Sequence, residues 1–422
     1  MASLIKTTLL SSISTSLKTL LSLVTTKIIA IYLGPAGIAV LGNFNNFLSI
    51  ILNFSTCGIN NGIVKYIAEF HANEQKRKEI VQTSVFIVLL CTFFSSLYVV
   101  AFAGDLAVTL LRDPEYTNIF YLLGVSLIFF SLSSVFLSIL NGLKEISKYF
   151  FINIISSILS TVFSIFLIYY WNLSGALLAI IITQSLTFLL CIILIKKENS
   201  FSFSDFYPTF NKESTINLSH YSLMSIVASL TLPLAYIFLR TYITNTISLD
   251  AAGYWQGIVG ISGAYLAMVT TSLSVYYLPR LSEIDNQREL KKEILSGYKI
   301  LLPIVAILSL GLYFFREFII LTFYSEQFLP MMDLFTFQLI GDFIKICAWL
   351  LSYILIAKAM TRIFIVGEVV FTGSFILLSI LFLNAYGLIG ITYAYALNYC
   401  FYLIFLILIF RSLLFREQKI SG

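Results

Sequence analysis

Four basic side chains sit inside long apolar runs of this sequence, and two of them are placed alike. Lys27 stands seven residues before Gly34 of the turn "LGPAG" (33–37), and Arg240 stands in a similar position before "LDAAG" (249–253). Lys18 and Lys345 complete the set. A cation in hydrocarbon is costly unless it meets protein, water or an anion. In a wet cavity, Lys and Arg form charge-assisted hydrogen bonds to phosphate or carboxylate. The competing reading for Lys27 and Arg240 is snorkelling to the headgroups on flexible stems. Two acids share the apolar runs. In "QLIGDFIKICAW" (338–349), Asp342 and Lys345 are three residues apart and share a helical face. They read either as an internal ion pair or as a coupling site, where a buried carboxylate binds a proton or Na⁺. Glu368 is the other coupling candidate, unless it simply packs, protonated, against a polar neighbour.

The elements that carry these residues are set by composition. The chain of 422 residues is 59% hydrophobic and 11% charged, with mean hydropathy +0.93. Soluble domains carry roughly 25% charged residues, so the expected class is an all-α integral membrane protein. The apolar runs are continuous rather than alternating, and backbone amides in hydrocarbon must be satisfied within the segment. Twelve spans are expected, at 9–33, 38–66, 80–102, 117–140, 149–170, 174–195, 220–243, 251–279, 298–321, 331–357, 362–383 and 387–410. The opening segment, although preceded by Lys6, is interrupted by Lys18 and lacks a cleavage site, so it reads as a retained span. Lysines and arginines crowd the termini and the connections after even-numbered spans, while the opposite connections hold only Arg112 and Arg316. That asymmetry puts both termini in the cytoplasm.

An internal repeat recurs at an offset of about 215 residues. "LGPAG" pairs with "LDAAG", "KRKEIV" (76–81) with "LKKEIL" (290–295), and "NLSGALLA" (172–179) with "GLIGITYA" (387–394). The expected organisation is an N-terminal six-helix lobe at 1–198, a cytoplasmic linker at 199–219, a C-terminal six-helix lobe at 220–410 and a tail at 411–422. Parallel halves of this kind bring a substrate to their interface. The first span carries Ser11, Thr15, Lys18, Ser22 and Thr25 on one face, and the second carries Asn46, Ser49, Asn53, Thr56 and Asn60. The seventh offers Ser222, Ser225, Ser229, Tyr236 and Arg240. The eighth offers Gln256, Gly260, Gly263, Thr270 and Ser274, which read on their own as close helix packing. Equivalent polar faces on spans 1, 2, 7 and 8 point to a shared cavity. Lys18 and Lys27 fall on opposite sides of a straight helix, so sharing it needs a bend or a snorkelling lysine.

Several chemistries lack support. The five cysteines, all within apolar runs, form neither a disulfide framework nor a metal site. His71 and His220 stand alone near loop edges. No Walker A pattern, no major-facilitator "G-x-x-x-D-R" loop and no sizeable external acidic loop is present; "RDPEY" (112–116) reads as a turn. No catalytic residue, cofactor, metal or nucleic-acid partner is expected. A membrane-embedded glycan polymerase is the enzyme alternative, and a multidrug or cation antiporter, which would favour acids over cations, the closer one.

The pieces "KIIAIYLGPAGIAVLGNF", "GINNGIVKYIAEFH", "SLTLPLAYIFLR", "GYWQGI", "SVYYLPRLSEI" and "DLFTFQLIGDFIKICAWLLSYILIAKA" span both halves. They resemble the Wzx-type O-antigen and enterobacterial common antigen lipid flippases of the multidrug/oligosaccharidyl-lipid/polysaccharide exporter superfamily. The resemblance implies a two-lobed V of twelve helices around a cationic cavity. It implies an undecaprenyl-diphosphate-linked oligosaccharide as substrate, flipped from the cytoplasmic to the periplasmic leaflet of the bacterial inner membrane. Its partners would be the bilayer and the glycan polymerase and chain-length components of the same pathway. By matching position, Lys27, Arg240 and Lys345 become the cavity cations, joined by Lys18, Asn46 and Asn53 from the polar faces, with Asp342 and Glu368 the membrane acids. Where some relatives carry an acid, this chain has Gly263, which puts coupling at that position in doubt. A diphosphate cannot cross hydrocarbon bare, because desolvating isolated charge costs on the order of tens of kcal/mol.

Overall fold

The computed structural model describes residues 2–71, 73–196, 203–273, 277–284, 286–358 and 360–415. Ser274, the linker residues 199–202 and tail residues 416–422 lie outside the described residues, as do the side chains of Ser11 and His220. The chain is an all-α membrane protein. Its main helices are α1 (Ala2–Ser55), α2 (Asn60–Glu69), α3 (Glu74–Ala101), α4 (Thr117–Gly142), α5 (Ile146–Lys196) and α6 (Lys212–Thr246). They continue with α7 (Leu249–Ser272), α8 (Gln287–Phe314), α9 (Phe335–Ala357), α10 (Thr361–Tyr386) and α11 (Gly390–Ile409).

Among the described residues, eight helical stretches are long and apolar enough to cross a membrane. Three of them run for 42, 49 and 49 residues, about twice what a bilayer requires. Each is broken by one non-helical residue: Gly34 in α1, Asn172 in α5, and Gly387 between α10 and α11. At Gly34, φ is 63° and ψ −166°, a region that essentially only glycine enters, and Pro35 then restarts the helix. The second expected span is interrupted as well. Cys57 and Gly58 both have positive φ, and α2 begins only at Asn60.

The repeat is written into this backbone. Asn172 and Gly387, equivalent by the offset of about 215, both adopt positive φ, at 46° and 66°. A few residues on, Gly175 and Gly390 lie against the carbonyl oxygens of Leu167 and Phe382. A β-carbon added there would sit 2.0 and 2.1 Å from them, so no other residue fits either turn. Helix caps repeat too: Asn73 accepts from the amide of Lys76 at the head of α3, and Asn286 from that of Arg288 at the head of α8.

The structure divides into two compact units, Met1–Leu33 with Val40–Ile237, and Gly34–Ala39 with Phe238–Gly422. In the first, α4 packs against α2, α3 and α5 over a core that includes Ile63, Ile67, Ile80, Val135 and Ile139. In the second, α9 is central and packs against α7, α8, α10 and α11. Outward faces are bare and apolar, with Phe93, Val125, Ile307 and Phe314 more than 60% exposed. Water would penalise such surface heavily; lipid does not.

Candidate functional site

A buried polar cluster lies in the second unit, around Asp342 of α9, which is fully buried. One carboxylate oxygen accepts from Ser262 Oγ at 2.6 Å and Tyr265 Oη at 2.9 Å, both on α7. The other accepts from Tyr395 Oη of α11 at 2.8 Å and, one turn back on α9, from Gln338 Nε2 at 3.4 Å. Four donors fill the acceptor capacity of an ionised carboxylate, which is how a charge survives away from water. The cluster also ties three helices to one atom group.

Lys345, one turn further along α9, is 9% exposed. It does not contact Asp342 directly. Its Nζ donates to Tyr395 Oη at 3.3 Å, and that hydroxyl donates onward to Asp342. The simple i,i+3 ion pair is therefore replaced by a tyrosine bridge, which leaves the ammonium among aromatic faces. The rings of Trp349, Tyr399 and Tyr395 lie 4.7, 5.3 and 5.7 Å from it, each attracting a cation through its quadrupole. Glu368 of α10 is half-buried and interacts electrostatically with the same lysine.

Arg240 of α6 is 1% exposed, and its guanidinium donates to Gln256 Oε1 of α7. Snorkelling to the headgroups does not describe so buried a side chain. Helix α7 thus serves both charges: Gln256 holds Arg240, and two turns later Ser262 and Tyr265 hold Asp342. Its small residues divide between two roles. Gly257 and Gly260 lie close to Met331 and the Tyr324 ring, while Gly263 faces open space.

In the first unit, Lys18 is exposed and Lys27 half-buried on α1. Between them, Thr25 donates back to the Leu21 carbonyl at 3.0 Å and lies 3.2 Å from Thr161 of α5. Asn53 accepts from Ser225 at 3.4 Å, and Asn46 Nδ2 is buried with no hydrogen-bond partner among the described residues. The structure therefore brings Asp342, Lys345 and Glu368 into one cluster and Arg240 onto the helix beside it. Lys18, Lys27, Asn46 and Asn53 belong to the other unit. Sequence reasoning missed Ser262, Tyr265 and Tyr395. The signal was present in Tyr395, Tyr399 and Tyr402, spaced four and three along the last helix and so on one face.

Comparison with known proteins places the chain in a family. Residues 4–285 match the family described as polysaccharide biosynthesis protein. The chain is 31% identical over 408 residues to lipid III flippase from Escherichia coli (strain K12) and, equally, to that from Shigella flexneri. The match covers 95% of this chain and 96% of theirs. Among solved structures, an inward-facing multidrug resistance MATE transporter of the MOP superfamily aligns with a TM-score of 0.77 at 16% identity, covering 96% of both chains. Lipid II flippase MurJ, in an inward closed conformation, aligns at 0.73 and 16%, covering 96% of this chain and 87% of its own. These structural likenesses speak for the fold. The family match and the whole-length identity go further: the chain belongs to the polysaccharide biosynthesis protein family, within its Wzx-type lipid-linked oligosaccharide flippases.

Proposed function

We propose that this protein flips an undecaprenyl-diphosphate-linked oligosaccharide from the cytoplasmic to the periplasmic leaflet by alternating access, as a transporter and not an enzyme. The observation that carries this reading is whole-length likeness to lipid III flippases in a chain that buries Arg240 inside its apolar interior. A diphosphate is the chemistry that such a cation matches. In this reading the headgroup is bound by membrane-embedded cations, Lys18, Lys27, Arg240 and Lys345. Asn46 and Asn53 supply amide groups for sugar hydroxyls. Asp342 and Glu368 couple the cycle to an ion gradient or the membrane potential. The fold has twelve spans as two six-helix lobes, at 1–198 and 220–410, with both termini in the cytoplasm of a bacterium and the chain in its inner membrane. Glycan polymerase and chain-length components act beside it.

Lys27→Ala and Arg240→Ala should each abolish surface glycan display while leaving folded protein in the membrane. Normal display in both ends the assignment. A cation or drug antiporter is the second reading, favoured by the buried carboxylate of Asp342. Reconstitution into vesicles with lipid-linked oligosaccharide, with and without an imposed potential and pH gradient, separates the two and identifies the driving force.

A further inference from the structure

Helix α8 opens with Arg288, Lys291, Lys292 and Lys299, which at about 100° per residue gather on one helical face. With Leu295 and Ser296 they line an open depression of about 420 Å³. The acids of the same helix lie on a neighbouring face and are occupied. Arg280 takes Glu289 at 2.8 Å, Glu293 at 3.8 Å and Glu283 at 4.0 Å. Lys291, Lys292 and Lys299 therefore keep their charge uncompensated: among the described residues none of the three has an ion pair or side-chain hydrogen bond.

The equivalent turn of α3 shows that this is not forced by the fold. There Lys78 pairs with Asp205 at 2.8 Å, Lys76 lies over the Phe70 ring at 5.1 Å, and Arg77 donates to the His71 carbonyl at 3.3 Å. The α8 face also has a defined depth. Beyond Lys299 the same face continues with Leu310 and Phe314, 56% and 75% exposed, so the apolar surface offered to acyl chains follows where the cations end. Cations at that level meet lipid headgroups.

We propose that this face of α8 binds the phosphate headgroup of an anionic membrane lipid. Lys291, Lys292 and Lys299 supply the charge, Ser296 a hydroxyl donor, and Leu295 a seat for the first methylenes of the chain. The site does not depend on what the protein transports.

The test is native mass spectrometry of the full-length protein in detergent with equal amounts of phosphatidylglycerol and phosphatidylcholine of matched chains. The wild-type protein should retain phosphatidylglycerol preferentially. A surface lysine contributes roughly a fivefold preference for an anionic interface, so Lys291→Gln with Lys292→Gln and Lys299→Gln should lower the ratio tenfold or more. Lys299→Gln alone, at an exposed position, should lower it by a smaller step. Lys76→Gln with Lys78→Gln should leave it unchanged. Undiminished preference in the triple variant, or an equal fall in the α3 control, overturns the proposal. Displacement of the lipid by inorganic phosphate at matched concentration also overturns it, since that marks a site for free anions.

Discussion

The two units solve the problem of polar groups in lipid differently, although their backbones repeat. In the first, Thr92 and Ser96 of α3 reach carbonyls of α1 and α4, but other hydroxyls turn inward on their own helices: Ser84 donates to Ile80, Ser131 to Leu127, and Thr183 to Ala179, each to the carbonyl four residues back. Such bonds need no partner helix. In the second, Asp342 and Lys345 depend on donors and rings from other helices. Carried back by the offset of about 215 that relates Gly387 to Asn172, those two charged positions fall on Leu127 and Phe130, which are 0% and 2% exposed. One scaffold position thus holds a dry core in one half and a charged network in the other. The backbone does not require the network, which carries a cost of desolvation that the apolar half avoids.

The comparison is broken most severely by importing one residue of the dry core. Lys345→Phe strands the carboxylate of Asp342 without its neighbouring cation, and removing one partner of a buried charge pair costs about 3–5 kcal/mol. Folded yield and thermal stability of the purified protein should fall sharply, with glycan display lost. Asp342→Leu together with Lys345→Phe imports the whole apolar pair. It should restore stability while display stays absent. Restored display would make the network structural and remove Asp342 from the mechanism.

The shared scaffold is tested by the two turns. Gly175→Ala and Gly390→Ala each drive a methyl into a carbonyl oxygen, an overpacking cost of about 3 kcal/mol. Near-equal losses of melting temperature are expected, because the added methyl meets its carbonyl oxygen at nearly the same distance in both turns, 2.0 and 2.1 Å. A loss confined to one half would show that the repeat survives in conformation but not in energetic weight.

Tyr395→Phe sharpens the comparison inside the charged network. It deletes only the hydroxyl that joins Lys345 to Asp342, a hydrogen bond to a charged group worth about 2 kcal/mol. The ring faces that flank Lys345 remain. Display should drop further than stability, and Tyr265→Phe, which removes a donor without touching the lysine, should lower stability with a smaller effect on display. Equal effects from the two would deny the bridge a role of its own.

Much of this was legible in the sequence, and the remainder was not for physical reasons. The apolar runs, the turn glycines and the repeat are local properties, and the breaks at Gly34, Asn172 and Gly387 fall where the repeated motifs place them. Asp342, Lys345 and Arg240 stood out because charge in an apolar run is rare. What could not be read was the partner set. Ser262, Tyr265 and Tyr395 are ordinary residues of membrane helices until a fold brings them to one carboxylate. The i,i+3 spacing of Asp342 and Lys345 allowed a direct pair, but a lysine surrounded by three aromatic rings gains more by turning toward them through Tyr395. The interruption of the second span at Cys57 and Gly58 was masked for another reason: the Ser, Thr, Gly and Asn residues of "STCGINNG" (55–62) signal a turn, but they also continue the polar face of a helix, and the two readings compete.

The smallest expected effect lies in the first unit. Thr25→Val removes a back-bond to Leu21 and a contact with Thr161 between Lys18 and Lys27 of α1. The freed carbonyl of Leu21 keeps its helical partner, and Thr161 Oγ1 retains its own bond to the Ser157 carbonyl at 3.1 Å, so the loss should be below about 1 kcal/mol. Stability measured by thermal unfolding should barely move, because hydroxyls satisfied locally are replaceable one at a time. A loss as large as that of Tyr395→Phe would show that the first unit also relies on an interhelical network, with α1 and α5 joined at Thr25 and Thr161. The contrast between the two halves would then reduce to which side chains carry charge, with no difference in how the helices are held.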